Sequence, residues 1–300
     1  MTGEFTAIEA IRRSLRKPPS DGQVWIGDDA AVLPPTAGEV HLLAVDAVVA
    51  GVHADLGLVG LADFGWKAMA ASVSDIAAMG GDPRCALVSL SGPEGTDLGA
   101  LYRGIGAAAE RFGCPVVGGD LTNAGDLVVS VTVSGTCPSA PVLRSGAGPG
   151  DEVWVTGPLG GSAAGLRRLR AGAGAEDQLV AAHIRPEPRL DEGRAARSAG
   201  ATAMIDVSDG LAADLRHLAE ASRVGVDLTR VPAAEGASLD EALGGGEDFE
   251  LVFCVPPGAP IEQFFLGLRA PTRIGTCVDG SRGVTLDGRQ LPPSGWEHRW

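Results

Sequence analysis

The chain has 300 residues, 45% of them apolar but only 4% aromatic, and a formal net charge of −14. That length accommodates one large or two medium domains around a core of Ala, Val and Leu. The acidity argues against nucleic acid as a partner, because a phosphate backbone demands clustered basic residues. The most apolar run, 41–52, is broken by Asp46 and is too short to span a bilayer, so no membrane is expected. The first seventeen residues carry charges throughout and lack the apolar centre of a signal peptide, so a cytoplasmic location is expected.

In chain order, Phe5, Ile8, Ile11 and Leu15 recur at helical spacing before Pro18 and Pro19, which predicts a short amphipathic helix over 5–15. Strands are predicted at 41–50, 85–90 and 126–136, the last alternating Val129, Val131 and Val133 with Ser130, Thr132 and Ser134. Helices fall between them over about 63–79 and 98–112. In the first, Trp66, Met69, Ala70, Val73 and Ala77 share one face, which puts Asp75 on the other. A Pro- and Gly-rich stretch at 138–150 predicts a boundary between an N-terminal domain, 1–138, and a C-terminal one, 139–300. Beyond it come a strand at 152–156, the turn Gly157-Pro158-Leu159-Gly160-Gly161 into a helix, a strand at 203–207 and a helix over 211–222. Strands at 225–228, 249–255 and 272–278 complete the pattern. Strands alternating with helices in both halves predict two α/β or α+β domains.

Five scattered cysteines, with no C-x-x-C pair, read as reduced and structural. Lys17 and Lys67 are the only lysines, and no G-x-x-x-x-G-K-[ST] occurs. A phosphate handled by this chain must be neutralised by something other than a P-loop lysine. Carboxylates beside small residues recur instead: Gly27-Asp28-Asp29, Val45-Asp46, Ser74-Asp75, Gly118-Gly119-Asp120, Asp206-Val207-Ser208-Asp209-Gly210 and Gly245-Gly246-Glu247-Asp248. Taken singly, each is also ordinary turn chemistry. Asp46 stands apart, because a carboxylate inside an apolar strand is costly to bury unless paired or bound to metal. Mg²⁺ takes oxygen ligands, often one or two carboxylates plus substrate phosphates, and Gly leaves amide N–H groups free to meet a phosphate. Abundant Asp and Gly with almost no Lys fit that arrangement.

Several residues read two ways. The 157–161 loop is either a phosphate cradle or a tight strand-to-helix turn, and Arg144 either a phosphate clamp or a solvated arginine. His53 is either a donor to substrate or structural, and Trp296 either caps an aromatic ligand or pins the tail. No Ser-His-Asp order stands out among the five histidines and no H-E-x-x-H occurs, so hydrolase chemistry is not supported.

Taken in order, these motifs resemble the thiamine-monophosphate kinase family, within the superfamily that holds aminoimidazole ribonucleotide synthetase and selenophosphate synthetase. The resemblance runs from Gly3-Glu4-Phe5 through Ile26-Gly27-Asp28-Asp29-Ala30-Ala31, Val45-Asp46, Gly51-Val52-His53 and Trp66-Lys67-Ala68 to Ser74-Asp75-Ile76. Gly118-Gly119-Asp120, Arg144-Ser145-Gly146, Ile205-Asp206-Val207-Ser208-Asp209-Gly210 and Gly245-Gly246-Glu247-Asp248-Phe249-Glu250-Leu251 continue it in family order. It implies a two-domain fold like that of aminoimidazole ribonucleotide synthetase, with N-terminal domains pairing into a β-barrel in a homodimer. It implies ATP and thiamine monophosphate as substrates and several Mg²⁺ ions as cofactors. By the same resemblance, Asp29, Asp46, Asp75, Asp120, Asp206 and Asp209 match metal ligands, with Asp46, Asp120 and Asp209 central to catalysis. Gly119, Asp120, Arg144 and Ser208 match ATP contacts, and His53, Glu247 and Trp296 match contacts to thiamine monophosphate.

Two departures from the family pattern stand out. Val45 replaces the usual Ser or Thr before Asp46, so ligation at that position must use a backbone carbonyl, and Ala54 replaces the usual Phe after His53. The implied reaction is direct in-line transfer of the γ-phosphoryl group to an already ionised phosphate, which needs no general base. The alternatives are a related ATP-dependent synthetase, against which stand the absence of an N-terminal cysteine and the presence of the Gly-Gly-Glu-Asp-Phe-Glu-Leu signature, or a nucleotide-binding scaffold without turnover.

Overall fold

The computed structural model describes Arg13 and residues 38–138, 140–292 and 294–296. Apart from Arg13, the expected helix at 5–15 and the motif that carries Asp29 lie outside the described residues. The chain divides into two compact units, one of Met1–Ile76 with Asp82–Ser139 and one of Ala77–Gly81 with Ala140–Trp300.

The first unit is built on a four-stranded sheet of β1 (Val40–Val49), β2 (Asp82–Gly92), β3 (Val116–Asn123) and β4 (Val128–Cys137), in the order β1-β4-β2-β3. β4 runs antiparallel to both neighbours, and β2 pairs with β3 in parallel. The alternation that predicts β4 has its physical counterpart here: Val129, Val131 and Val133 are fully buried on one face. Over that face lies α1 (Leu61–Ala78), whose Ile76 meets Gly135 and whose Ser72 Oγ donates to the Val131 carbonyl at 2.8 Å. α1 is buried nearly all round, with Phe64, Lys67, Met69 and Val73 at 0% exposure, which replaces the simple two-faced helix expected from the sequence. A second helix, α2 (Leu98–Arg111), is capped by the Asp97 carboxylate, which accepts from Ala100 N at 2.9 Å. It approaches α1 through glycine: a Cβ at Gly104 would fall 1.6 Å from the Ala62 carbonyl oxygen, and one at Gly65 would fall 2.5 Å from that of Leu101.

The second unit places β5 (Glu152–Val155), β6 (Ala203–Asp206), β7 (Val224–Leu228), β8 (Leu251–Val255), β9 (Thr272–Asp279), β10 (Val284–Leu286) and β11 (Arg289–Gln290) in one sheet, ordered β11-β10-β7-β9-β5-β8-β6. Its helices are α3 (Gly161–Arg170), α4 (Gln178–Ile184), α5 (Leu190–Ser198), α6 (Leu211–Ser222), α7 (Leu239–Gly244) and α8 (Ile261–Phe264). β8 is apolar without alternation because the sheet is covered on both faces. Val252 and Cys254 pack with Leu211, Leu215 and Leu218 of α6, while Leu251, Phe253 and Val255 pack with Ala195 and Ala196 of α5. The last two residues of α1 and the turn after it, 77–81, belong to this unit. Ala77 and Ala78 join the α5 cluster, and a Cβ at Gly193 would fall 2.2 Å from the Ala77 carbonyl oxygen.

All five cysteines are buried and free. Among the described residues, no helix is long and apolar enough to cross a membrane.

Candidate active site

In the first unit, register decides where the carboxylates lie. Asp46 of β1 stands opposite Val131, which stands opposite Val88, beside Gly119; this row faces α1, the helix that carries Asp75. The neighbouring row is Ala47, Ser130, Ser89 and Asp120, and successive rows project to opposite faces. Asp46 and Asp120 therefore belong to opposite faces of one sheet. Asp120 is exposed, and Thr122 Oγ1 donates to its Oδ2 at 3.0 Å. Val45, 60% exposed, lies in a row with Thr132 and Leu87. Gly119 has a structural reason to be glycine, since a Cβ there would fall 1.9 Å from the Val88 carbonyl oxygen.

His53 sits in the turn that follows β1. Its Nδ1 accepts from Val49 N at 2.9 Å, so that nitrogen carries no proton and Nε2 is the donor of the neutral ring. The fully buried Lys67 donates from Nζ to the His53 carbonyl at 3.3 Å, holding the same turn from α1. Trp66-Lys67-Ala68 was a motif without an assigned task in the sequence; here its lysine supports the His53 turn.

In the second unit, two segments cross. The first leaves the end of β6 through Asp206, Ser208 and Asp209 into α6, and the second leads through Glu247 into β8. Val207 N donates to the Glu250 carbonyl at 2.7 Å, Phe249 N to that of Val207 at 2.9 Å, and Glu247 N to that of Ser208 at 2.8 Å. A Cβ at Gly246 would fall 2.4 Å from the Ser208 carbonyl oxygen, which explains the glycine before Glu247. Glu247 and Phe249 are both held at positive φ, 63° and 48°, a conformation that non-glycine residues adopt only where the surroundings impose it. The tail joins the same place: Trp296 N donates to the Asp209 carbonyl at 2.9 Å and the residue stays 54% exposed. The structure thus brings Asp206, Ser208, Asp209, Glu247 and Trp296 together. Arg144 is elsewhere in this unit. Its loop is tied to the start of β6 and the end of α6, through Leu143 O to Met204 N at 2.9 Å and Arg144 O to Ser222 Oγ at 2.9 Å.

Three further residues complete this cluster, of which only Asp248 already stood in a sequence motif. Asp214, in the first turn of α6, is 2% exposed and accepts from Asp209 N at 3.1 Å and Gly210 N at 3.0 Å. Burial, then the charges of Asp206 and Asp209, push its carboxyl up to about 8. That crowding of negative charge is a donor set suited to a divalent cation. Among the described residues, however, no three His, Cys, Asp or Glu side chains close into a cage of their own. Asp248 accepts from Gly160 N at 2.6 Å and Ser162 N at 3.0 Å, and burial pushes it up to about 6. His183, 3% exposed, has its Nδ1 3.0 Å from Ser162 Oγ and 3.8 Å from Glu247 Oε2. The 157–161 loop is accordingly a turn into α3 whose N-terminal amides are already taken by Asp248. Beside it opens a cavity of about 910 Å³ walled by Ser162, Arg168, Arg189, Asp248, Glu250 and Arg269. Glu250, 3% exposed, ties that wall together by accepting from Thr156 Oγ1 at 2.6 Å, Arg189 at 2.7 Å and Arg269 at 3.3 Å.

Comparison with known proteins follows the two-unit division. Residues 27–137 match the family model "AIR synthase related protein, N-terminal domain", and residues 148–287 match "AIR synthase related protein, C-terminal domain". The thiamine-monophosphate kinase of Mycobacterium tuberculosis is 38% identical over 313 aligned residues, spanning 98% of this chain and 91% of that protein. The crystal structure of thiamine-monophosphate kinase from Stenotrophomonas maltophilia K279a superposes with a TM-score of 0.83 at 34% identity, covering 96% of this chain and 97% of that one. A structure described as "AaThiL complexed with AMPPCP and TMP" superposes with a TM-score of 0.79 at 34% identity, covering 99% of this chain and 97% of that one. Fold, motif order and near full-length similarity agree: the chain is a kinase with the two-domain α/β fold of the AIR synthase related proteins, and it belongs to the thiamine-monophosphate kinase family.

Proposed function

We propose that this chain transfers the γ-phosphoryl group of ATP to the phosphate of thiamine monophosphate, forming thiamine diphosphate and ADP. The observation that carries this reading is the crossing of the 206–209 and 247–249 segments, which sets Asp206 and Asp209 beside Glu247 and the exposed Trp296 indole. One side of that cluster suits a metal-bound triphosphate and the other a cationic heteroaromatic acceptor. Further support comes from the relative whose structure holds AMPPCP and TMP and which aligns over 99% of this chain.

Residue roles follow from the same reading. Asp46, Asp75, Asp120, Asp206 and Asp209 would hold Mg²⁺, together with the Val45 carbonyl and with Asp29, which lies outside the described residues. Bound Mg²⁺ would offset the charge on phosphate oxygens. Arg144, Gly119 and Ser208 contact ATP. Arg144 suits this because no carboxylate partners its guanidinium among the described residues. His53 donates from Nε2 to the acceptor, its other nitrogen being taken by Val49 N. Glu247 and Trp296 bind the thiamine moiety, by charge and by stacking. The acceptor phosphate is ionised near neutral pH, so the chain's task is to align two polyanions for in-line transfer rather than to remove a proton.

The protein works as a homodimer through its N-terminal sheet. Leu43, Val45 and Leu87, on one face of that sheet, are 79%, 60% and 43% exposed, an apolar surface that a second copy would cover. Incubation of the purified chain with Mg·ATP and thiamine monophosphate tests the reaction: thiamine diphosphate and ADP are expected in equal amounts by chromatography. ADP without thiamine diphosphate, or neither product, would overturn it.

A further inference from the structure

We infer that Asp248 is a positioning residue that fixes the Glu247 carboxylate through a closed ring of contacts, Glu247-Asp248-Ser162-His183. The inference rests on the reading of Glu247 as a contact to thiamine monophosphate.

The ring is assembled from three elements of the second unit. From the loop before β8, the Asp248 carboxylate reaches the start of α3, taking Gly160 N at 2.6 Å on Oδ2 and Ser162 N at 3.0 Å on Oδ1. Gly160 stands at φ 80° and caps α3 without a side chain of its own, so the carboxylate from residue 248 does what a local Ser or Asp usually does. Ser162, anchored by its amide, holds His183 of α4 by its hydroxyl at 3.0 Å. The same Nδ1 lies 3.8 Å from Glu247 Oε2, beyond hydrogen-bond reach, and attracts that carboxylate when the imidazole is protonated, which closes the ring on the residue next to Asp248. Ser162 and His183 are 2% and 3% exposed, so neither can move aside without repacking.

The backbone supplies the remaining constraint. Glu247 N and Phe249 N donate to the carbonyls of Ser208 and Val207, pinning one side of the loop to the segment that carries Asp209. Asp248 pins the other side to α3. A residue at φ 63° between two such anchors has little freedom to re-aim its side chain. Preorganisation of this kind lowers the ordering cost of binding, and its loss should appear in the affinity of the group that Glu247 contacts.

The test uses steady-state kinetics of the full-length chain with each substrate varied in turn. Asp248→Asn turns one of the two acceptor oxygens into a donor facing an N–H. It should raise KM for thiamine monophosphate at least tenfold while changing KM for ATP less than twofold. In a Glu247→Gln background the same substitution should add less than twofold, because a positioning residue has nothing left to position. A change in KM for thiamine monophosphate below threefold, or full multiplication of the two effects, would overturn the inference. Should Asp248→Asn not fold by circular dichroism, Ser162→Ala carries the same decision. It keeps both amide bonds and cuts the link to His183, and is expected to raise that KM three- to tenfold without multiplying the effect of Glu247→Gln; unchanged kinetics would overturn the inference. An unaltered protein without kinase activity would strike the proposed function and this inference together, whereas an active protein indifferent to these substitutions strikes the inference alone.

Discussion

At the scale of single residues, the two carboxylates on opposite faces of the N-terminal sheet make the sharpest contrast. Asp46 lies within an apolar strand beneath α1, and Asp120 is exposed at β3. Both substitutions, Asp46→Asn and Asp120→Asn, keep shape and remove charge, so the fold should persist by circular dichroism while kcat falls by at least a hundredfold, about 2.7 kcal/mol of barrier. Asp248 gives a pH signature. Its folded pKa of about 6 lies above the ordinary 3.8, so folding takes up a proton between those values. The resulting stability is present at low pH and is lost as pH rises through 6. Between pH 5 and 7 the native protein should lose about 1 kcal/mol of stability relative to Asp248→Asn, which cannot titrate there. Denaturant unfolding at the two pH values checks this; equal slopes would contradict it. Asp214 and His183 were not legible as site residues in the sequence, and Asp248 was visible there only as part of the Gly-Gly-Glu-Asp motif, without its task. Their roles arise from burial and from contacts across 86, 5 and 21 positions of chain, which spacing along a sequence does not display. Asp46 stands out in the sequence because a charge inside an apolar strand is anomalous there.

Elements were legible where hydrophobic periodicity was strong. The alternation of β4 and the apolar run of β8 are visible without a structure, since the pleat and two-sided burial dictate them. β3 was missed. Gly118, Gly119 and Asp120 read as turn chemistry, yet they form a strand because glycine alone lets β3 lie against the Val88 carbonyl. The helix–helix contact of the first unit depends on glycine in the same way. Gly104→Ala would put a methyl 1.6 Å from the Ala62 oxygen and should cost about 3 kcal/mol as α1 and α2 are forced apart. Gly99→Ala on the same helix meets only the tips of the Asp97 and Arg103 side chains, and should stay within about 1 kcal/mol of the unaltered protein. Chemical denaturation of both variants separates them; equal costs would contradict the packing argument.

At the scale of the whole molecule, the chain divides into two compact units. β4 ends at Cys137, where the Pro- and Gly-rich stretch begins. The membership of 77–81 in the second unit was not legible, because it follows from the fit of Ala77 against Gly193, far along the chain. The apolar face of Leu43, Val45 and Leu87 sets the expected assembly: a species of about twice the 30.4 kDa chain mass by light scattering. Leu43→Asp with Val45→Asp should convert it to a single chain, and a monomeric unaltered protein would contradict the assignment. Tracing ATP labelled at its γ-phosphate tests most directly which molecule accepts the phosphoryl group. The label is expected in thiamine diphosphate, in step with ADP. Label released only as inorganic phosphate, with thiamine monophosphate unchanged, would contradict the account.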